Sequence, residues 1–151
     1  MKYMLDTNMV IFAMQKDDPR QVRQKITSHN GDMFISSITY DELMFGVYNS
    51  DSEKRKQTKI IILNEFLMRV SILPFDEKAA DHSANIRQHL CSKGQQVGIY
   101  DNLIAGHARS LGMTCITNNT REFARVPSLL VEDWTNVKTQ KTSRKRSLSS
   151  N

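Results

Sequence analysis

Lys2-Tyr3-Met4-Leu5-Asp6-Thr7-Asn8 is followed directly by the apolar run Met9 to Met14. Three apolar residues closed by an acid read as a short buried strand, and the run behind them reads as a helix capped by Thr7 or Asn8. A strand that passes at once into a helix is the first half of a βαβ unit, and the rest of the chain repeats that grammar. Asp17-Asp18-Pro19 interrupts the first helix, and a second spans Arg20 to His29. Asn30-Gly31-Asp32 turns into a strand at Met33-Phe34-Ile35. Ser36-Ser37 caps a further helix with Tyr40, Leu43 and Val47 on its inner face and Glu42 in its first turns. A long helix, charged after Asp51 and apolar from Ile60 to Val70, leads to a third strand at Ser71-Ile72-Leu73, which Pro74 stops. Asp76 to Ser92 places Ala79, Ser83, Ile86 and Leu90 at i, i+4, i+7 and i+11, the spacing of one packed helix face. A helix from Tyr100 to Leu111, a strand from Met113 to Thr117 and a short strand from Leu129 to Glu132 complete the reading. Strands joined by helices pair in parallel, so the expected fold is α/β, a central parallel sheet with helices on both sides, in a single domain.

Composition bounds the alternatives. Hydrophobic residues are 39% and charged residues 25% of 151, the balance of a globular chain with one core. No apolar run nears the roughly eighteen residues that a membrane helix needs, and the first is broken by Asp6, so the expectation is a cytoplasmic protein without membrane contact. Cys91 and Cys115 form no CxxC pair and have no histidine at zinc spacing, which excludes a disulfide framework or a structural zinc. The formal charge of +5 is carried by the end of the chain, where Lys138, Lys141, Arg144, Lys145 and Arg146 meet no acid. Without them the basic and acidic residues balance at sixteen each. The expected division is a neutral folded domain over 1–137 and a basic disordered tail over 138–151.

The chemical signal is where the acids fall. Asp6 closes the first strand, Glu42 follows the second by a turn or so of helix, Asp101 opens the helix before the fourth strand, and Glu122 follows that strand. In a parallel sheet the carboxyl ends of the strands share one edge, where ligands bind. Taken singly, each acid has an ordinary structural reading: Asp6 and Asp101 as helix caps, Glu42 as a surface residue with Asp41 as its inward-facing alternative, and Glu122 as part of a solvated turn. Taken together, four carboxylates on one edge repel one another unless something positive sits among them. Without cysteine or paired histidine, oxygen ligation favours a hard cation, Mg²⁺ or Mn²⁺. His29, His82, His89 and His107 form no such constellation and read as structural or surface residues.

Met4-Leu5-Asp6-Thr7-Asn8, Ile35-Ser36-Ser37 leading to Glu42-Leu43, the segment Gly98 to Ala108 around Asp101, and Thr117-Asn118-Asn119-Thr120-Arg121-Glu122-Phe123 together resemble the PIN-domain family. Within it they are similar to the VapC ribonuclease toxins of bacterial toxin–antitoxin pairs. The resemblance runs over roughly residues 2 to 134 and closes on Val131-Glu132-Asp133-Trp134. It implies a metal-dependent endoribonuclease with Asp6, Glu42, Asp101 and Glu122 as the acidic cluster, the metal on Asp6 and Asp101, and Thr7 and Asn118 as polar residues beside it. It implies a cognate VapB-like antitoxin and an RNA substrate, with the initiator tRNA anticodon loop suggested by Asn118 to Phe123. It further implies a homodimer, for which Met44, Phe45 and Tyr48 offer a helix face. Asn119 departs from the pattern, because many relatives carry an aspartate there, and Glu122 then takes the fourth acidic role. Two other readings stay open: a binding module with a vestigial site, and a PIN nuclease for RNA maturation.

Overall fold

The computed structural model describes residues 1–135, so the expected basic tail lies outside the described residues. Among these no helix is long and apolar enough to cross a membrane. The chain runs β1 (Tyr3–Leu5), α1 (Thr7–Met14), α2 (Val22–Ser28), β2 (Met33–Ser36), α3 (Ser37–Tyr48), α4 (Glu53–Leu67) and β3 (Ser71–Leu73). It continues through α5 (Glu77–Ser92), α6 (Ile99–Ser110), β4 (Thr114–Ile116), α7 (Thr120–Phe123) and β5 (Val131–Glu132). The sheet order is β3-β2-β1-β4-β5, and every pairing is parallel.

Successive side chains of a strand face opposite ways, and β1 shows what that achieves here. Leu5 joins the core formed with Met9, Val10, Ile26, Leu43 and Phe66, beneath α1 to α4. Met4 faces the second core, with Ile86, Leu90, Ile104 and Phe123, beneath α5 to α7. Residues buried on both sheet faces explain why the strands read as apolar runs without polar alternation.

The chain passes from β1 outward to β2 and β3, then returns to place β4 on the other side of β1. Strand order therefore reverses between β1 and β4, and at such a point the crossovers leave in opposite directions and open a crevice at the carboxyl edge. Leu5 is in register with Ile35 on one side and Ile116 on the other, so the next residues, Asp6, Ser36 and Thr117, stand level at that edge.

Three local expectations are corrected. Helix α1 starts at Thr7, and its cap is Asp6, whose Oδ1 accepts the Met9 N–H at 2.9 Å. A carboxylate at the strand end already reaches the third helical amide, so no later cap is needed. On α3 it is Thr39, not Tyr40, that is buried with Leu43 and Val47; Tyr40 is 36% exposed. Because the helix begins at Ser37, the i, i+4, i+8 row falls on Thr39, Leu43 and Val47. The Thr120-Arg121-Glu122-Phe123 stretch is one turn of helix, anchored by fully buried Phe123, and not a turn alone. By contrast, Ala79, Ser83, Ile86 and Leu90 are the buried residues of α5, as their spacing predicts.

Candidate functional site

Each candidate acid is delivered by a different element. Asp6 leaves β1, Glu42 stands in the second turn of α3, Asp101 in the first turn of α6, and Glu122 in α7. Asp6 is 2% exposed, and its backbone N–H still donates to Ile116 O at 3.0 Å, continuing the β1–β4 ladder. Its Oδ2 accepts from the Thr117 hydroxyl at 2.5 Å. The same side chain thus caps a helix with one oxygen and crosses the switch point with the other.

Neutral donors hold the remaining acids. The Thr7 hydroxyl donates to Glu42 Oε1 at 2.6 Å and stands 3.2 Å from the Thr39 hydroxyl. The Asn119 side-chain amide donates to Asp101 Oδ2 at 3.3 Å and to Glu122 Oε2 at 2.9 Å. Asn118 is exposed and makes no side-chain hydrogen bond among the described residues. Sequence reasoning did not single out Thr117, and it noted Asn119 only as a departure from the acidic pattern and not as a donor. The signal for Thr117 was its register with Asp6 across β1 and β4, and for Asn119 its place three residues before Glu122.

The electrostatics of this edge are those of crowded like charges. Burial pushes the Asp6 carboxyl up to about 6, and Asp101 and Glu42 push in the same direction, while the Thr117 and Met9 hydrogen bonds oppose them. Glu42 is raised first by burial and then by Asp101 and Asp41, against the Thr7 bond. Asp101 is raised first by burial and also by Glu122, against the Asn119 bond. The influence of Asp101 on Asp6 and Glu42, and of Glu122 on Asp101, links all four acids at one edge. The one ion pair among the described residues, Arg55–Asp51, is on the exposed surface elsewhere, so none of their basic side chains pairs with the cluster.

The donor set suits a hard divalent cation: carboxylate oxygens, partly desolvated, with neutral partners only. Among the described residues no group of three His, Cys, Asp or Glu side chains stands together as a site that could hold a metal ion. Asp6 and Asp101 could contribute carboxylate oxygens to such an ion. His107 plays a structural part: it is buried, with Nδ1 2.8 Å from Ser36 Oγ and its ring edge-on to Phe75.

A stability prediction follows from Asp6. Its carboxyl titrates near 6 in the folded chain and near 3.8 when exposed, so folding favours its protonated form. The stabilisation is complete below 3.8 and is lost as pH rises through about 6, a change of at most about 3 kcal/mol. His107, whose basicity burial lowers, works in the opposite sense and must be separated out. In chelator, wild type should lose more stability from pH 4 to 7 than Asp6→Asn, whose amide oxygen can still cap α1. Thermal melts of both proteins across that range check this; parallel profiles would remove the Asp6 contribution. Adding Mg²⁺ or Mn²⁺ at pH 7 should raise the wild-type melting temperature.

A parallel sheet whose acids meet at its switch point defines a class of protein, and the comparisons agree on which. The PIN domain family profile matches residues 3–129. The chain belongs to the PIN domain family, in its VapC branch. It is 43% identical over 134 residues to the tRNA(fMet)-specific endonuclease VapC of Shigella flexneri, covering 89% of this chain and 98% of that one. It is 40% identical, with the same coverage, to Ribonuclease VapC2 of Haemophilus influenzae. The toxin in the crystal structure of DNA-bound VapBC from Salmonella typhimurium superposes with a TM-score of 0.80 at 42% identity, over 89% of this chain and 98% of that one.

Proposed function

We propose that this chain is a cytoplasmic endoribonuclease toxin, dependent on Mg²⁺ or Mn²⁺, that hydrolyses RNA phosphodiesters and is held inactive by a cognate VapB-like antitoxin. The observation that carries the reading is the set of four carboxylates that influence one another at the β1–β4 switch point. The names of the relatives supply RNA as the substrate, and tRNA(fMet) as the RNA to try first. The solved VapBC complex supplies the antitoxin.

Asp6 and Asp101 would hold the divalent ion, which when bound lowers the pKa of water and neutralises phosphate charge. Thr117 and the α1 amide fix the Asp6 rotamer, so its carboxylate would need no reorientation to act as a ligand. Thr7 fixes Glu42, and Asn119 keeps Asp101 and Glu122 close without adding charge. Burial makes Glu42 a stronger base than a surface glutamate, suited to take a proton from the attacking water. Glu122, joined to Asp101 through the Asn119 amide, would complete the shell or orient that water. Water adds to phosphorus and the bond to the leaving ribose oxygen breaks, so no ribose 2′-hydroxyl nucleophile is required.

The test is cleavage of purified tRNA(fMet) by the purified chain, with 5′ ends mapped after Mg²⁺, Mn²⁺ or chelator. A cut in the anticodon loop that needs the metal, and that stops when the cognate antitoxin is added, is the expected result. Cleavage at full rate in chelator would overturn the metal-dependent reading. No cleavage of this or any cellular RNA under either metal would favour the vestigial-site reading instead.

A further inference from the structure

Helix α3 continues past Glu42 with a surface that the hydrolytic chemistry does not use. Phe45 and Tyr48 are each 67% exposed and stand three residues apart, so they neighbour one another on the helix. Phe45 is one turn beyond Glu42 and Tyr48 one turn further, each step about 4.5 Å along the axis. Two adjacent, largely exposed aromatic rings on one helix face mark a contact surface.

Cations from α4 frame the rings. The Lys56 ammonium lies 5.2 Å from the centre of the Tyr48 ring. The Lys59 ammonium donates to Gly46 O at 3.2 Å and, with Glu42, lines a groove of about 380 Å³ between α1, α3 and α4. In order along α3 come a catalytic carboxylate, a ring and a second ring, with two ammonium groups beside them.

We propose that Phe45, Tyr48, Lys56 and Lys59 form the surface that receives single-stranded nucleotides next to the scissile bond, the bases stacking on the rings and the phosphates lying beside the ammonium groups. This rests on the ribonuclease reading. Stacking accepts any base, because every base has a π-face, so the surface supplies affinity and register without reading sequence. The lysines address a second need. The active edge is acidic and repels phosphate, and the Lys56 and Lys59 ammonium groups of α4 compensate by releasing counterions from RNA. A second copy of this chain is the competing occupant of these rings, but the cores of such interfaces are depleted in lysine, and here lysines flank the aromatic pair.

The experiment uses the full chain and a fluorescent single-stranded oligoribonucleotide, with binding measured by anisotropy in chelator to prevent turnover. The double variant Phe45→Ala/Tyr48→Ala should weaken binding about tenfold or more with an unchanged salt slope, and Phe45→Trp should bind as wild type or better. Lys56→Gln/Lys59→Gln should weaken binding and flatten the slope of log K against log salt by about 1.4. All three variants should keep the wild-type melting temperature and sedimentation. Unchanged RNA affinity in both double variants overturns the proposal. Dissociation of an oligomer by Phe45→Ala/Tyr48→Ala, with RNA affinity unchanged, assigns the face to a second copy. If wild type binds RNA but fails to cleave it with metal, the ribonuclease reading falls while the binding comparison still decides this surface.

Discussion

Asp101→Asn should reduce RNA cleavage by at least about a thousandfold, the scale set by several kcal/mol of metal-assisted charge stabilisation, while the protein melts within about two degrees of wild type. Asparagine keeps the size of the side chain and one carbonyl oxygen but removes the charge that would hold the ion. The fold tolerates the change because Asp101 is only partly buried and is not a helix cap; Gly98 occupies that position in α6. The lost attraction between a first-turn carboxylate and the helix dipole costs about 0.3–1 kcal/mol. Relief of repulsion from Glu122, Glu42 and Asp6 offsets it, since each of these couplings destabilises the charged form. Two measurements check the prediction: single-turnover cleavage in Mg²⁺, and thermal melts with and without the ion. The mutant should also lose most of the metal-induced rise in melting temperature. Cleavage within tenfold of wild type would remove Asp101 from the chemistry.

Much of the architecture was legible because burial on both sheet faces leaves a plain mark. The strands are short apolar runs closed by turn residues or acids, and helices separate them, so parallel pairing was the only economical arrangement. Helix α5 was read to the residue, since Ala79, Ser83, Ile86 and Leu90 pack one face and the others are solvated. Helix α3 was misread by one position for an equally physical reason. Tyr40 is larger and more apolar than Thr39, but the space beneath the helix start is small and polar, and Thr39 shares it with the Thr7 hydroxyl.

The acids of the candidate site were legible as types and positions; their supports were not. Spacing shows that Asp6 and Asp101 follow or open elements, and parallel topology places such residues on one edge. It does not show that Asp6 divides its two oxygens between a helix amide and Thr117, because that depends on β1 and β4 being neighbours. Asn119 was read as the absence of an acid. In the folded chain its amide does what an acid there could not do, donating to Asp101 and Glu122 together. The sequence neighbour Asn118, equally polar, faces solvent. Which of two adjacent asparagines turns inward is set by the single turn of α7 and by the burial of Phe123, both too short-ranged for a periodic pattern to reveal.

Gly106→Ala should lower the melting temperature by about ten degrees, the largest loss expected from adding a single methyl group to this fold. A Cβ on Gly106 would lie 2.6 Å from Ser83 Cα, 2.6 Å from Ser83 N and 2.8 Å from Ser83 Cβ. Those are backbone atoms of α5 and the first atom of its side chain, so no rotamer change relieves the contact. Helices α5 and α6 would have to separate, and one turn earlier on α6 buried Asn102 donates to Ser83 O at 3.0 Å and Ser83 Oγ at 2.9 Å. Separation stretches both bonds and leaves a buried amide short of partners, at about 1–3 kcal/mol beyond the overpacking itself. Alanine's better helix propensity returns only about 1 kcal/mol. Function should suffer below the melting point too, because Asp101 directly precedes Asn102, and moving the start of α6 moves that carboxylate away from Asp6. Gly46→Ala in α3 is the control: nothing lies within 4 Å of the added methyl, so the same substitution there should leave stability equal or raise it. Thermal melts and cleavage assays on the two variants side by side decide the matter. A Gly106→Ala protein that melts within two degrees of wild type and cuts RNA normally would show that the α5–α6 contact yields, and that the position of Asp101 does not depend on it.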